Sequence, residues 1–336
     1  MKLPDINITA DIENAALRIV ETVEKMERIR KIESQLRLRK ANRIRTIHSS
    51  VAIEANTLSI EEVTDIINGK KIAGDPKEIL EVKNAWKAYE GIGEYKPYSM
   101  DDLLLAHRRM SNGLVREPGR FRSVRVGVYK GFELIHEGAE PSEIRELMDK
   151  VFEWGTMSNL HPLIKSCIIH FMIEFIHPFE DGNGRMGRLW QTVILADWYP
   201  AFQWVPVETL IHRNQYGYYD ALRSAEQKND AALFVKFMLD IIEFTLNAII
   251  DSRPAEDEPV NAPVNAPVNA PVNKTARWIY GEISLNGHVT YEELAVILSI
   301  GRSAVMRNIK VLKDAGLIRR VGSDKTGYWE LTDLRL

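Results

Sequence analysis

A proline-containing repeat constrains the folding of this chain more than any other feature of its sequence. Residues 259–273 read PVNAPVNAPVNAPVN, so proline recurs at every fourth position. Each proline removes a backbone donor and biases the preceding residue away from helix. An ordered edge strand is the alternative, but such frequent proline disfavours a paired strand. The repeat predicts an extended, semi-stiff linker over 251–273, with a folded domain on either side.

Composition narrows the class of protein. Apolar residues make up 45% and charged residues 27% of the 336 residues, and the net charge is −3. This mixture is typical of globular proteins, and it provides no global basic field for coating nucleic acid or anionic membrane. The lone cysteine, Cys167, excludes an intramolecular disulfide and suits a reducing compartment. The most apolar stretch, 231–250, contains Lys236, Asp240 and Glu243, which argues against a membrane span. We expect a cytoplasmic protein without a membrane segment.

The part before the linker has the pattern of an all-α protein. Residues 11–47 predict a long polar helix, and shorter helices are predicted near 60–68, 76–89 and 142–154, with another that begins after Ser99. The apolar stripe of the long helix comprises Ile19, Val23, Met26, Ile29, Ile32 and Leu36. Residues 120–136 alternate Val, Tyr and Phe around Lys130-Gly131, which predicts a short β-hairpin. Segment 161–176 is apolar nearly all round and predicts a helix at the centre of a bundle.

The string HPFEDGNGRMGR at 177–188 follows that apolar helix and precedes a second apolar helical pattern. Gly182 and Gly184 permit positive φ and let a ligand approach the backbone. A helix that begins after this turn would point free N–H groups and the positive end of its dipole into it. Arg185 and Arg188 lie one helical turn apart and suit phosphate oxygens. The string predicts a phosphate-binding corner, and it lacks the Lys-Ser/Thr ending of a P-loop.

The residues His177-x-Phe179-x-Asp181-Gly182-Asn183-Gly184-Arg185-x-x-Arg188 match every defining position of the Fic motif. Over roughly 40–250 the chain therefore resembles Fic (Fido) domains. The resemblance implies a helical bundle with a β-hairpin flap. It also implies transfer of AMP from ATP to a Ser, Thr or Tyr hydroxyl of a target protein that docks on the flap at 120–136.

The resemblance assigns roles to individual residues. His177 would be the general base, and Asp181 would hold Mg²⁺. Phe179 would anchor the loop. Glu226 stands where family members commonly carry an asparagine near the ribose. The predicted nucleotide-binding residues are Gly182, Asn183, Gly184, Arg185, Met186, Gly187 and Arg188, with Tyr218 and Tyr219 at the adenine.

A second family feature precedes the motif. Within 46–56, Ser50 and Glu54 match the Ser/Thr-x-x-x-Glu pattern of an inhibitory helix, in which the glutamate pairs with Arg188. Ala55 stands where the family carries Gly or Asn, and as a good helix former it is expected to preserve the packing. The alternative is that Glu54 is an ordinary acidic residue on a solvated helix. The same glutamate could also support removal of AMP by positioning a water.

The sequence after the linker has its own pattern. Residues 274–336 carry ten Lys and Arg against seven Asp and Glu. Apolar positions at Leu294, Val296–Leu298 and Ile300 precede a second helix that begins near Gly301 or Ser303, and a wing is predicted to turn near Asp324–Gly327. This order predicts a winged helix-turn-helix, an α+β domain. DNA is one candidate partner, and protein docking or dimerisation is the other. A homodimer would be expected for tight DNA binding.

The sequence thus predicts an N-terminal helical region at 1–98, a catalytic core at 99–250, the linker at 251–273 and the winged domain at 274–336. The leading hypothesis is a self-inhibited adenylyltransferase that uses ATP and Mg²⁺. One alternative is a transcription regulator whose Fic fold only senses a nucleotide, although a sensor does not need His177. A Fic enzyme that removes AMP, or that transfers UMP or GMP, is the other.

Overall fold

The structure is a computed structural model that describes residues 2–28, 36–130, 133–251, 274–285, 287, 289–291, 294, 302–322 and 327–332. The chain forms two compact units, Met1–Asn247 and Ala248–Leu336. The linker repeat lies outside the described residues. No helix in the described ranges is both long and apolar enough to cross a membrane.

The first unit is helical, as predicted. Its helices are α1 (Ala10–Arg28), α2 (Leu36–Ile53), α3 (Ile60–Ile67), α4 (Pro76–Glu90), α5 (Met100–Ser111), α6 (Ile144–Met157), α7 (Pro162–Ile176), α8 (Asn183–Trp198), α9 (Val207–Arg213), α10 (Gln215–Gln227) and, up to Asn247, α11 (Ala232–Asp251). Short 3₁₀ turns lie at Gly91–Gly93 and Pro200–Trp204.

Local signals place several of these helices. Ser59 forms a capping box with Glu62 at the start of α3, which satisfies two of the free N–H groups of that helix. Asp75 and Ser99 cap α4 and α5 through their side chains. The predicted helix at 11–47 appears as α1 and α2, and residues 29–35 between them lie outside the described residues.

The apolar helix α7 forms the centre of the unit. Its side chains are buried on every face, and α8 follows it across the turn at 177–182 and packs along it. Helices α2, α4 and α9 pack in a second group in which α2 contacts both of the others. The site described below lies where the end of α2 meets the turn between α7 and α8.

The predicted hairpin is confirmed. Strand β1 (Gly127–Lys130) pairs antiparallel with β2 (Glu133–Glu137), and the register is irregular between Val128 and Tyr129. The predicted turn residue Gly131 lies outside the described residues. Among the described residues the sheet has two strands, so each strand retains one edge without a ladder partner.

The second unit contains α12 (Lys274–Leu285), α13 (Arg302–Asp314), β3 (Ile318–Val321) and β4 (Tyr328–Leu331). The two strands pair antiparallel, with Ile318 opposite Leu331. Most of the predicted first helix of the motif, and wing residues 323–326, lie outside the described residues. A small apolar core joins these elements, and it includes Ala276, Ile279, Ile283, Val289, Leu294, Val305, Ile309, Leu312, Leu317, Ile318 and Trp329.

Candidate active site

His177 ends α7 and begins the glycine turn. Its backbone is left-handed, with φ 53°, and its N–H donates to Ile173 O at 3.0 Å. This conformation costs a non-glycine residue about 1–2 kcal/mol. Arg122 holds it in place, because its Nε donates to His177 O at 2.7 Å. The turn therefore fixes the direction in which the imidazole leaves the backbone.

The ring of His177 is set up as a base. Its Nδ1 lies 3.3 Å from Glu174 O. A carbonyl oxygen only accepts, so we assign the proton to Nδ1, which leaves the lone pair of Nε2 available. Burial, reinforced by the neighbouring His136, lowers the pKa of His177 to about 4. The imidazole is therefore neutral at physiological pH.

The turn is anchored from below by aromatic stacking and backbone bonds. Phe179 is fully buried and stacks on His107 with ring centroids 3.8 Å apart. His107 Nδ1 accepts from Gly119 N at 2.9 Å, and its Nε2 lies 3.1 Å from Asp181 O. Nδ1 acts as acceptor, so Nε2 carries the proton that reaches Asp181 O. The sequence predicted the anchoring role of Phe179, but it carried no local signal for His107.

Asn183 serves the turn in a way that the sequence did not predict. Its Oδ1 accepts from Phe179 N at 2.9 Å, and its Nδ2 donates to Phe179 O at 3.0 Å. The side chain is buried. Both polar ends of the amide are thus committed to the backbone, and Asn183 acts as a clamp on the turn where the sequence had predicted a phosphate ligand.

Gly182 and Gly184 each require glycine, but for different structural reasons. Gly182 has φ 85° and precedes the first residue of α8, as expected for a left-handed turn. Gly184 is helical and does not use the positive φ that glycine permits. A Cβ at Gly184 would collide with Glu54 Oε1 and would lie 3.3 Å from Glu174 Oε1. Gly184 is therefore required because side chains approach the backbone at the start of α8.

Asp181 and Arg185 form one pair at this corner. Arg185 Nη2 donates to Asp181 Oδ2 at 3.2 Å, and Asp181 Oδ1 accepts from Gly182 N at 2.7 Å. The Arg185 side chain is buried and also lies 3.9 Å from Glu81, whereas Asp181 is half exposed. Among the described residues no group of three or more His, Cys, Asp or Glu side chains is arranged to hold a metal.

Arg188 is the buried charge of the site. Only 1% of its surface is exposed, and its Nη2 donates to Glu54 Oε1 at 2.8 Å and to Ser50 O at 3.0 Å. Its Nε donates to Ser50 Oγ at 3.3 Å. Burial opposes the charge, but the carboxylate of Glu54 outweighs it and holds the pKa of Arg188 above its usual value. The structure thus brings together Ser50, Glu54 and Arg188.

The predicted inhibitory helix at 46–56 ends earlier than expected. Helix α2 stops at Ile53, and Ala55 has φ 66°. Ala55 N donates to Ala52 O, and Asn56 N donates to Val51 O, which is the bond pattern of a Schellman cap. The expectation that Ala55 suits this position as a helix former is therefore wrong, because the position is left-handed.

The two tyrosines of α10 occupy different environments. Tyr218 is fully buried, where its Oη donates to Glu174 Oε1 at 2.8 Å and lies 3.0 Å from His170 Nε2. Tyr219 is 43% exposed, and its Oη donates to Ile53 O at 3.3 Å. In this structure only Tyr219 presents a ring that a nucleotide base could contact.

Two further predicted nucleotide contacts face the core. The Met186 side chain is fully buried. Gly187 lies against His170, and a Cβ there would come within 2.5 Å of the imidazole. Both positions can contribute only backbone groups to a ligand, because the Met186 side chain is buried and Gly187 has no side chain.

Glu174 and its neighbours form a polar group that the sequence analysis missed. Burial, together with Glu54, raises the pKa of the Glu174 carboxyl to about 7. On the hairpin side, His136 Nδ1 lies 2.8 Å from Glu226 Oε1, and the His136 ring is 5.8 Å from that of His177. Glu226 therefore connects α10 to β2. The signal that could have revealed this group is the presence of Glu174 as a polar residue in the otherwise apolar segment 161–176.

Comparison with known proteins identifies similar families for both units. The Fic/DOC family matches residues 97–195, and the MarR family matches residues 279–327. A crystal structure of a Fic family protein from Desulfovibrio desulfuricans G20 is similar over the full length of both chains, with 35% identity and a TM-score of 0.71. Fic-1 from C. elegans shares the fold, with 22% identity and a TM-score of 0.55 over 71% of this chain.

Curated relatives are similar over a shorter stretch. A protein adenylyltransferase Fic from Culex quinquefasciatus is 31% identical over 229 residues, which is 65% of this chain and 43% of the relative. A protein of the same name from Drosophila erecta is 32% identical over 71% of this chain and 49% of the relative. The chain spans about half the length of the curated relatives it matches.

Proposed function

The chain belongs to the Fic family, and on that premise we propose that it is a protein adenylyltransferase that moves AMP from ATP to a hydroxyl group of a target protein. One observation carries the proposal most directly. A neutral imidazole, His177, stands at the start of a glycine turn whose other end is the N-terminus of α8. A sensor of nucleotides would need the anion site but no base. The relatives' name supports the same reaction.

The reaction follows from the atoms available. Nε2 of His177 takes the proton from the acceptor hydroxyl as that oxygen attacks the α-phosphorus of ATP. The bond from the α-phosphorus to the bridging oxygen breaks, and pyrophosphate leaves. The N-terminus of α8 and the buried cation Arg188 attract the triphosphate, because both place positive charge where negative charge accumulates.

Asp181 fits the role of magnesium ligand. It is half exposed and offers one carboxylate, and Mg²⁺ is commonly held by one or two carboxylates with water and substrate phosphates completing its shell. The ion would neutralise charge on the phosphates. Arg185 already bonds Asp181, so this carboxylate is oriented before any ion arrives.

The same geometry supports self-inhibition. The carboxylate of Glu54 accepts a hydrogen bond from Nη2 of Arg188 and lies close to the backbone of Gly184, at the start of α8. A carboxylate in that position competes with phosphate for the same cation. We therefore assign Glu54 as the inhibitory residue, the brake. Ser50 accepts hydrogen bonds from the same guanidinium and holds it in place.

The experiment measures labelled AMP incorporated into protein by Glu54→Gly and Glu54→Gln, with Glu153→Gln as the matched control on an exposed helix surface. Loss of an arginine–carboxylate pair should raise incorporation on the order of 10²-fold. His177→Ala in the Glu54→Gly background should lower it about 10²–10⁴-fold. An unchanged rate in both Glu54 variants excludes the brake.

Parallel reactions test the alternative Fic activities. Labelled GTP and UTP test for transfer of GMP or UMP, and AMP-modified lysate tests for removal of AMP.

A second function belongs to the second unit. We propose that it binds double-stranded DNA through α13, because this helix exposes Arg307, Lys310 and Lys313 and the MarR family matches this part of the chain. One winged helix binds weakly alone, so a homodimer would supply a second half-site.

Because the lone cysteine, Cys167, is buried and free, we place the protein in the reducing cytoplasm.

A further inference from the structure

A second carboxyl group, distinct from that of Glu54, is buried near Arg188. Glu208, the second residue of α9, is 1% exposed. Its Oε1 accepts from Tyr89 Oη at 2.8 Å. Tyr89 Oη in turn lies 3.5 Å from Ser50 Oγ, the hydroxyl that Arg188 Nε contacts. Glu208 therefore belongs to the same network as Arg188, although its position in the sequence gave no indication of this.

Arg188 and Glu208 each retain one polar atom without a partner. Among the described residues, neither Arg188 Nη1 nor Glu208 Oε2 has a hydrogen-bond partner. Both residues line a cavity of about 10 Å³, together with Gln191 and Thr192. Arg188 and Glu208 therefore lie close together, in addition to their connection through Ser50 and Tyr89.

Electrostatics supports the same relation. A guanidinium as buried as Arg188 needs a counter-charge, because an unpaired buried ion is strongly destabilising. Glu54 supplies one from the exposed side, with 35% of its side chain accessible. That partner has to leave when ATP takes its place. Burial raises the pKa of the Glu208 carboxyl, and the hydrogen bond from Tyr89 and the charges of Arg188 and Arg43 offset part of that rise.

We propose that Glu208 is a positioning residue for Arg188, which it supports from the interior through the hydroxyl groups of Tyr89 and Ser50. It remains as the counter-ion after Glu54 has moved away. Arg188 then stays charged and in place for the triphosphate. The final step, contact of Arg188 with ATP, rests on the proposed function, whereas the pairing of Arg188 with Glu208 does not.

The first test is a double-mutant cycle on stability. The four proteins are the wild type, Glu208→Gln, Glu54→Gln and the double variant, each measured as full chain by thermal unfolding. Glutamine keeps the shape and can still accept from Tyr89. Each single variant removes one of the carboxylates near Arg188 and the double variant removes two, so the double variant should lose more melting temperature than the two single losses together. Glu243→Gln, which removes a carboxylate from the pair with Arg18, should be additive with Glu54→Gln. Additive losses for Glu208→Gln overturn the proposal.

The second test separates positioning from general packing. In the Glu54→Gln background, Glu208→Gln should weaken ATP binding about tenfold, while AMP, which lacks the triphosphate end, should change less than about twofold. Equal weakening of ATP and AMP contradicts a positioning role. If ATP binds to none of the proteins, the proposed function fails and the stability cycle still decides the role of Glu208.

Discussion

At the scale of single residues, the protonation of His177 decides whether the site has a base. Burial lowers its pKa to about 4. A histidine with a depressed folded-state pKa adds stability at pH values above its unfolded pKa of about 6.5, and that stability is lost as pH falls through about 4. We expect the imidazole ¹⁵N resonances of free His177 to report a neutral ring from pH 7.5 to about 5. A titration midpoint near 6.5, assigned with His177→Asn, contradicts this expectation.

Ala55 is one of three non-glycine residues with a left-handed backbone among the described residues. It is left-handed and follows Glu54 directly, and alanine in this region costs about 1–2 kcal/mol, part of which glycine avoids. Glu54 also lies at the negative end of α2, where a carboxylate is unfavourable without Arg188. We expect Ala55→Gly to stabilise the chain by about 1 kcal/mol, to raise the melting temperature by about 2 °C and to lower basal AMP incorporation. Ala55→Val should change both in the opposite direction.

Asn183 illustrates the limit of reading residues by type. An amide in a phosphate-binding turn can contact the ligand or the turn itself, and its type and spacing are the same in both cases. The structure places both ends of Asn183 on Phe179. Whether a side chain points into a site depends on the backbone around it, which the motif alone does not specify.

At the scale of elements, the sequence predicted most helices of the first unit because neighbouring residues determine where those helices begin. Ser59, Asp75 and Ser99 cap helices within three residues of themselves, and Pro162 fixes the start of α7. The end of α2 was predicted wrongly because the left-handed residue of a Schellman cap is usually glycine, whereas here it is Ala55.

The support of the site was not predictable because it links distant elements. Tyr89 and Glu208 are 119 positions apart, and His136 and Glu226 are 90 apart. No periodicity connects such residues, and each taken alone is an ordinary tyrosine, histidine or glutamate. The motif predicted which residues do the chemistry, whereas the packing of α2, α4 and α9 determines what holds Arg188 in place.

At the scale of the whole molecule, charge is unevenly divided along the chain. Residues 274–336 have a net charge of +3, although the complete chain has −3. Within the second unit, α13 exposes Arg307 and Lys310. The apolar side chain of Met306, which precedes Arg307, is also exposed. A helix that enters the major groove would use such basic residues on phosphates, and each phosphate contact contributes to the salt dependence of binding.

The DNA proposal is therefore tested most sharply through salt. We expect the full chain to bind a pool of duplex oligonucleotides at about 50 mM salt, with log affinity falling linearly as log salt rises. The double variant Arg307→Gln with Lys310→Gln should reduce that slope by about 2, since each lost phosphate contact removes about 0.9. The matched control removes two lysines from the first unit, Lys150→Gln with Lys236→Gln, and should leave the slope unchanged because both pair with acids one turn away on their own helices. If the two double variants shift the slope equally, the charge of the whole chain governs the interaction, and α13 has no special part in it.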